Sequence, residues 1–168
     1  MAIIKHRDQK VVVLIDIQNL YYSAKHLYGR KVNFREILKK AVARRHLIRA
    51  IAYVVRTESG EEQPFFDALI RAGIETKVKD LQIFLGGAKK ADWDVGISVD
   101  AIRLSQLVDA IVIVSGDGDF VPLIEYLRNQ GKQVEVLAFG RSASQKLKEV
   151  ADDFLDVEED PDKFLFKR

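Results

Sequence analysis

Val11-Val12-Val13-Leu14-Ile15-Asp16 and Ala110-Ile111-Val112-Ile113-Val114-Ser115-Gly116-Asp117-Gly118-Asp119 are the two stretches that decide how this chain folds. Each opens on a run of apolar, mostly β-branched residues without polar alternation, the pattern of a strand covered on both faces, and each ends on acid. Similar apolar runs occupy 48–55, 74–78 and 134–139. Helical segments lie between them: one after Asn19, one opened by Asn33 with Glu36 in capping-box spacing, one over 61–72 ending at Gly73, one over 92–108, and one over 120–129 ending at Gly131. Strand and helix alternate, which predicts an α/β fold: a Rossmann-like three-layer sandwich with a mostly parallel central sheet flanked by helices. A short helix over 142–150 and an edge strand over 154–157 follow, and 158–168 reads as a loose tail.

The 168 residues suggest one domain, 1–168, with its core over about 10–157. A 48 % hydrophobic and 31 % charged composition is that of a globular protein, and there is no apolar run near the ~18 residues that cross a bilayer, so no membrane partner is expected. With zero cysteines, disulfide scaffolds, thiolate metal sites and cysteine nucleophiles are excluded. The first residues have no signal-peptide core, and a cytoplasmic protein is expected. Residues 1–50 hold 12 Lys/Arg against Asp8, Asp16 and Glu36, whereas eight acids crowd between Glu149 and Asp162. A basic first third suits a polyanion, although charge runs on single helices are more often solvated faces.

In open α/β sheets, sites form outside the carboxyl ends of the strands. Asp16 leaves the first strand there, and Asp117 and Asp119 leave another. The helix that feeds the second of these strands runs antiparallel to it, so its start, with Asp92 and Asp94, overhangs the same edge. Asp100 lies roughly 9 Å further down that helix, and Asp94 is the better candidate. Several carboxylates a few ångström apart repel by about 4 kcal/mol per pair at an effective dielectric near 20. A hard divalent cation is the simplest remedy, and all-oxygen ligands favour Mg2+ or Mn2+. Taken singly, each acid reads equally well as a helix cap, and Asn19 as a cap or as an orienting group. His6, His26 and His46 lie apart in basic surroundings and read as surface residues, and Trp93 as a packing residue.

Other chemistries lack their spacing. Position 18 is Gln, where a phosphoryl-transfer Asp-x-Asp site needs a second Asp. There is no Gly-x-x-x-x-Gly-Lys-Ser/Thr loop, no Gly-x-Gly-x-x-Gly after the first strand and no Gly-x-Ser-x-Gly elbow.

Asp16-Ile17-Gln18-Asn19-Leu20, Lys90-Ala91-Asp92-Trp93-Asp94-Val95 with Asp100-Ala101, and Ser115-Gly116-Asp117-Gly118-Asp119-Phe120 with Gly131-Lys132 together resemble the NYN domain, the LabA-like branch of the PIN-like nuclease group. The resemblance runs over roughly 10–157 and includes Gly140-Arg141-Ser142 and Ala151-Asp152-Asp153-Phe154. It implies a PIN-like version of the Rossmann-like sandwich, an acidic site binding Mg2+ or Mn2+, and RNA as substrate. Carried over residue by residue, Asp16, Asp94, Asp117 and Asp119 match the metal-binding acids and Asn19 their polar companion. Asp92 and Asp100 are additional candidates, so the ligand within 92–100 stays open. Lys89, Lys90, Arg103 and Arg141 are candidate phosphate contacts. The activity so implied is metal-dependent endonucleolytic hydrolysis of RNA. The alternatives are an RNA-binding or regulatory module of the same branch with little or no catalysis, and a small-molecule phosphatase. Monomer and homodimer both remain open.

Overall fold

The computed structural model describes residues 3–83, 89–90 and 92–167, with the side chains at 82, 83, 89 and 90 left aside. Strand β1 (Lys10–Asp16) lies mid-sheet, and its alternating side chains feed two separate cores. Val11, Val13 and Ile15 face one layer of helices while Val12 and Leu14 face the other, so no position in the run tolerates a polar residue. β1 pairs in parallel with β2 (His46–Arg56) on one side and with β6 (Ala110–Val114) on the other. Adding β3 (Glu75–Asp80), β7 (Gln133–Ala138) and β8 (Asp153–Asp156) gives a six-stranded parallel sheet in the order β3-β2-β1-β6-β7-β8. The order reverses between β1 and β6, and the crevice of such a fold opens at that reversal.

One face carries α1 (Ile17–Tyr28), α2 (Phe34–Val42) and α3 (Gln63–Arg71), and the other carries α4 (Asp94–Ser105), α5 (Val121–Asn129) and α6 (Gln145–Val150). The expected alternation is therefore observed. Asn33 caps α2 by accepting from the Glu36 amide, and α1 stops at Gly29, whose φ of 62° is left-handed. The helix read over 120–129 is α5, entered through a 3-10 turn at Gly118–Phe120. A two-stranded antiparallel ribbon, β4 (Gln82–Ile83) with β5 (Lys89–Lys90), went unread because strands of two residues carry no period.

The expectation of a loose tail after residue 158 is overturned. A 3-10 turn at Val157–Glu159 and the short helix α7 (Pro161–Phe164) return the chain to α2, burying Phe164 and Leu165. The Asn33 amide donates to the Phe164 carbonyl (2.8 Å), the Phe166 amide donates to the Lys31 carbonyl (2.8 Å), and the Arg30 guanidinium donates to the carbonyls of Leu165 and Phe166. Two apolar residues just beyond the acidic stretch, with these hydrogen bonds, dock it. No helix among the described residues is long and apolar enough to cross a membrane.

Candidate metal centre

Asp16 is at once the last residue of β1 and the cap of α1, its Oδ1 accepting from the Asn19 amide at 3.3 Å. Its Oδ2 accepts from the Ser115 hydroxyl (3.0 Å), and the Asn19 Oδ1 accepts from the Gly116 amide (2.8 Å). The two strand ends at the sheet reversal are thus clamped by side chains from each to the other. The chain of bonds continues outward: the Asp117 amide donates to the Ser115 Oγ (3.2 Å), and the Asp119 amide to the Asp117 Oδ1 (2.9 Å). Asn19 is therefore a tether across the crevice, and the capping role belongs to Asp16. Two glycines let the β7–α6 connection close in from the side. A Cβ at Gly116 would lie 3.0 Å from the Ala143 Cα, and one at Gly118 would lie 2.9 Å from the Ser144 Oγ.

The third contributor is the start of α4. The Trp93 indole N–H donates to the Val54 carbonyl at 3.0 Å and its ring meets Tyr53 edge-on at 5.2 Å, pinning the helix start over β2. This is the packing role expected of Trp93. The ring also lies against Gly96, where a Cβ would sit 2.5 Å from its Cε3. Asp94 follows directly, and its amide donates to the Asp92 Oδ1 at 3.3 Å.

Asp94, Asp117 and Asp119 each offer an oxygen that lies within 4.8 Å of the other two. Among the described residues none of the three forms an ion pair with Lys, Arg or His. Burial, then the fields of Asp117, Asp92, Asp16 and Asp119, push the Asp94 pKa up to about 7. Burial raises that of Asp16 as well, against the lowering effect of the Ser115 and Asn19 hydrogen bonds. Hard oxygen donors of one sign, converging and without a cationic partner among the described residues, suit a Mg2+ or Mn2+ ion. Asp16 stands behind this trio, bound to Ser115 and coupled to Asp117 and Asp92 through their fields. Ser115 belongs to the Ser-Gly-Asp-Gly-Asp-Phe motif, and its hydroxyl is what joins the two strand ends. The signal for its role was a hydroxyl ending an apolar strand opposite an acid that ends the neighbouring one.

The remaining candidates go elsewhere. Asp92 is exposed at the rim, its carbonyl accepting from the Lys79 ammonium at 2.8 Å. Asp100 is buried away from the trio, accepting from the Tyr53 hydroxyl (2.7 Å), Lys77 (2.7 Å) and Arg103 (2.6 Å). Burial would raise its pKa, but these three donors outweigh burial and hold it below the usual range. Arg103 is thereby engaged with Asp100, about 14 Å along α4 from Asp94. Arg141 pairs with Glu158 (2.7 Å) and lies 5.5 Å over the Tyr28 ring. The expectations for Lys89 and Lys90 rest on side chains outside the described residues. His6, His26 and His46 are exposed, as read.

The sheet reverses its strand order beside an Asp trio, and the sequence places this arrangement in a PIN-like nuclease group: the NYN domain matches residues 10–158, and the chain belongs to the NYN-domain family. It is similar to the low amplitude and bright protein LabA of Synechococcus elongatus, 26 % identical over 90 % of this chain and 85 % of that one. It is also similar to the crystal structure of VPA0982, a protein of unknown function from Vibrio parahaemolyticus, with a TM-score of 0.87 and 32 % identity, covering 98 % of this chain and 100 % of the other.

Proposed function

We propose that Asp94, Asp117 and Asp119 hold a Mg2+ or Mn2+ ion and that the protein hydrolyses RNA phosphodiester bonds beside it. The observation that carries this reading is the convergence of three carboxylate oxygens within 4.8 Å at the mouth of the crevice, without a cation from the described residues to balance them. RNA as substrate is supported by membership of a PIN-like nuclease family. A bound divalent cation supplies Lewis-acid stabilisation of charge developing on the phosphodiester and lowers the pKa of water. The carboxylates hold and orient; they do not attack. Asp16 adds inner negative charge and, through Ser115, fixes the Asp117 backbone, while Asn19 fixes Gly116 and so keeps the β1 and β6 ends in register.

Purified protein incubated with labelled single-stranded RNA and DNA in Mn2+, Mg2+ or EDTA tests the reading. RNA cleavage is expected in either metal, lost in EDTA and lost in Asp117→Asn and Asp94→Asn. The fold of both variants is checked by circular dichroism. RNA bound but uncleaved in every metal would leave an RNA-binding module instead. Hydrolysis of phosphomonoesters with none of polynucleotides would leave a phosphatase.

A further inference from the structure

We infer that the exposed face of α1 is a stacking platform for single-stranded RNA, with Tyr22 as the ring that carries a base and Tyr21 as its buttress. This deepens the nuclease reading and rests on it for which end of the platform faces the scissile bond. Helix α1 meets its structural obligations with two of its sides. Ile17, Leu20 and Ala24 enter the core, while Asn19 and Ser23 reach the loops after β6 and β7, the latter through the Ser142 hydroxyl at 2.9 Å. Gln18, Tyr21, Tyr22, Lys25 and His26 remain on the outer side.

Tyr22 is 60 % exposed and Tyr21 46 % exposed, although a solvated helix face is ordinarily built of small or charged residues. A lone exposed aromatic needs no explanation. Here two are packed against each other edge-to-face, with centroids 5.4 Å apart and planes at 79°, and neither hydroxyl has a hydrogen-bond partner among the described residues. The Lys25 ammonium lies 6.0 Å from the Tyr21 ring centroid. Tyr22 is one helical turn beyond Asn19, and about 9 Å along the axis from Asp16. The patch therefore begins at the crevice and runs away from it.

Charge and size select the occupant. The residues on this outer side include the Lys25 ammonium and no carboxylate, so the face favours an anion. The flanking Gln18, Lys25 and His26 are polar, so the two rings stand as an aromatic pair in polar surroundings rather than as part of an apolar patch. A ring face beside an ammonium fits a nucleobase with its phosphate. Stacking of this kind needs an unpaired base, so single strands are preferred to duplex.

The test uses a labelled oligouridylate and a labelled hairpin duplex in EDTA, with fluorescence anisotropy on the wild type, Tyr22→Ala and Tyr22→Phe, followed by cleavage of the single strand in Mn2+. Tyr22→Ala is expected to weaken single-strand binding about tenfold or more, to change duplex binding much less, and to raise KM by a similar factor. Tyr22→Phe, which keeps the π face, restores binding to within about twofold of wild type. An unchanged melting temperature confirms that Tyr22→Ala folds. Wild-type affinity in Tyr22→Ala, or no single-strand binding by the wild type, overturns the platform, while cleavage lost in Asp117→Asn would leave the metal site standing. Conversely, Tyr22-dependent binding without cleavage in any metal sinks the nuclease reading and keeps the platform. Self-association that vanishes in Tyr22→Ala with RNA binding intact makes the face an interface with a second copy, and overturns the proposal.

Discussion

The two ends of the central sheet handle charge in opposite ways. Near the amino ends of the strands, Arg45 and Glu135 have fully buried side chains and meet through two bonds of 2.8 and 2.9 Å. Gln9 accepts from Arg45 at 3.2 Å, and Lys5 adds a second cation at 3.4 Å from Glu135. Arg45 also donates to the carbonyls of Ala41 and Val42, closing the end of α2 where Ala43 and Arg44 take left-handed φ values of 51° and 61°. At the carboxyl ends of β1 and β6 the described charges, those of Asp16, Asp117 and Asp119, are all of one sign, and burial raises the pKa of Asp16 and of the neighbouring Asp94. A buried charge with its partner in place holds a fold together. Like charges gathered at a crevice hold nothing together by themselves, and three of them could hold a metal ion.

Removing one partner at the compensated end has the largest effect on stability. Glu135→Ala strands Arg45 and is expected to cost about 3–5 kcal/mol in urea unfolding, whereas the double replacement Arg45→Met with Glu135→Leu recovers most of it. An equal loss in the double variant would break the comparison, since the pair would then be needed for more than mutual compensation. At the other end a cation can be added. Mn2+ at about a hundred times its Kd should stabilise the wild type by about 2.7 kcal/mol at pH 8, roughly 5–10 °C in melting temperature, and should do little for Asp117→Asn. A melting temperature indifferent to Mn2+ would remove the metal from the comparison.

Helix α4 repeats the contrast on a smaller scale. Asp100 has three donors and Asp94 none of comparable kind among the described residues, so their substitutions should act with opposite sign. Asp100→Asn is expected to cost about 1–2 kcal/mol at pH 7, less than a fully buried pair because Lys77 and Arg103 are partly exposed. Its depressed pKa means that this contribution is present above the unfolded carboxyl pKa and is lost as acidification protonates the folded group. For Asp94, raised from 3.8 to about 7, the folded chain binds a proton that the unfolded chain releases between those values. Stability of the metal-free protein therefore falls as pH rises across that window. Asp94→Asn should raise the melting temperature in EDTA at pH 8 by about 2 °C and make almost no difference near pH 4. The same proton competes with metal, so Mn2+ affinity measured by calorimetry should fall as pH drops below about 7.

Much of the sheet is legible because its strands are apolar on both faces, and only burial between two helical layers satisfies such a run. The acids legible as a group are those placed by strand ends: Asp117 and Asp119 after β6, and Asp94 at a helix start that must overhang the same edge. The packed C-terminus is not legible, because Phe164 and Leu165 are only two apolar residues and their docking against α2 is a contact between segments far apart in the chain. Asp100 shares its helix with Asp94, and no spacing rule shows that Tyr53, Lys77 and Arg103 converge on it from three elements.

What the sequence determines by itself is local chemistry and its period: apolar runs that must be strands, Asn33 where α2 starts, Gly73 and Gly131 just beyond α3 and α5, and carboxylates at strand ends with no cysteine or suitably placed histidine beside them. The tertiary structure alone decides which of those carboxylates meet. Asp94, Asp117 and Asp119 come within 4.8 Å because β1 and β6 are neighbours at the sheet reversal and Trp93 pins α4 above them, whereas Asp100 is turned toward cations of β3 and its own helix. Electrostatic character is a property of surroundings, falling off within a few ångström inside a protein, and surroundings are assembled only when the chain folds.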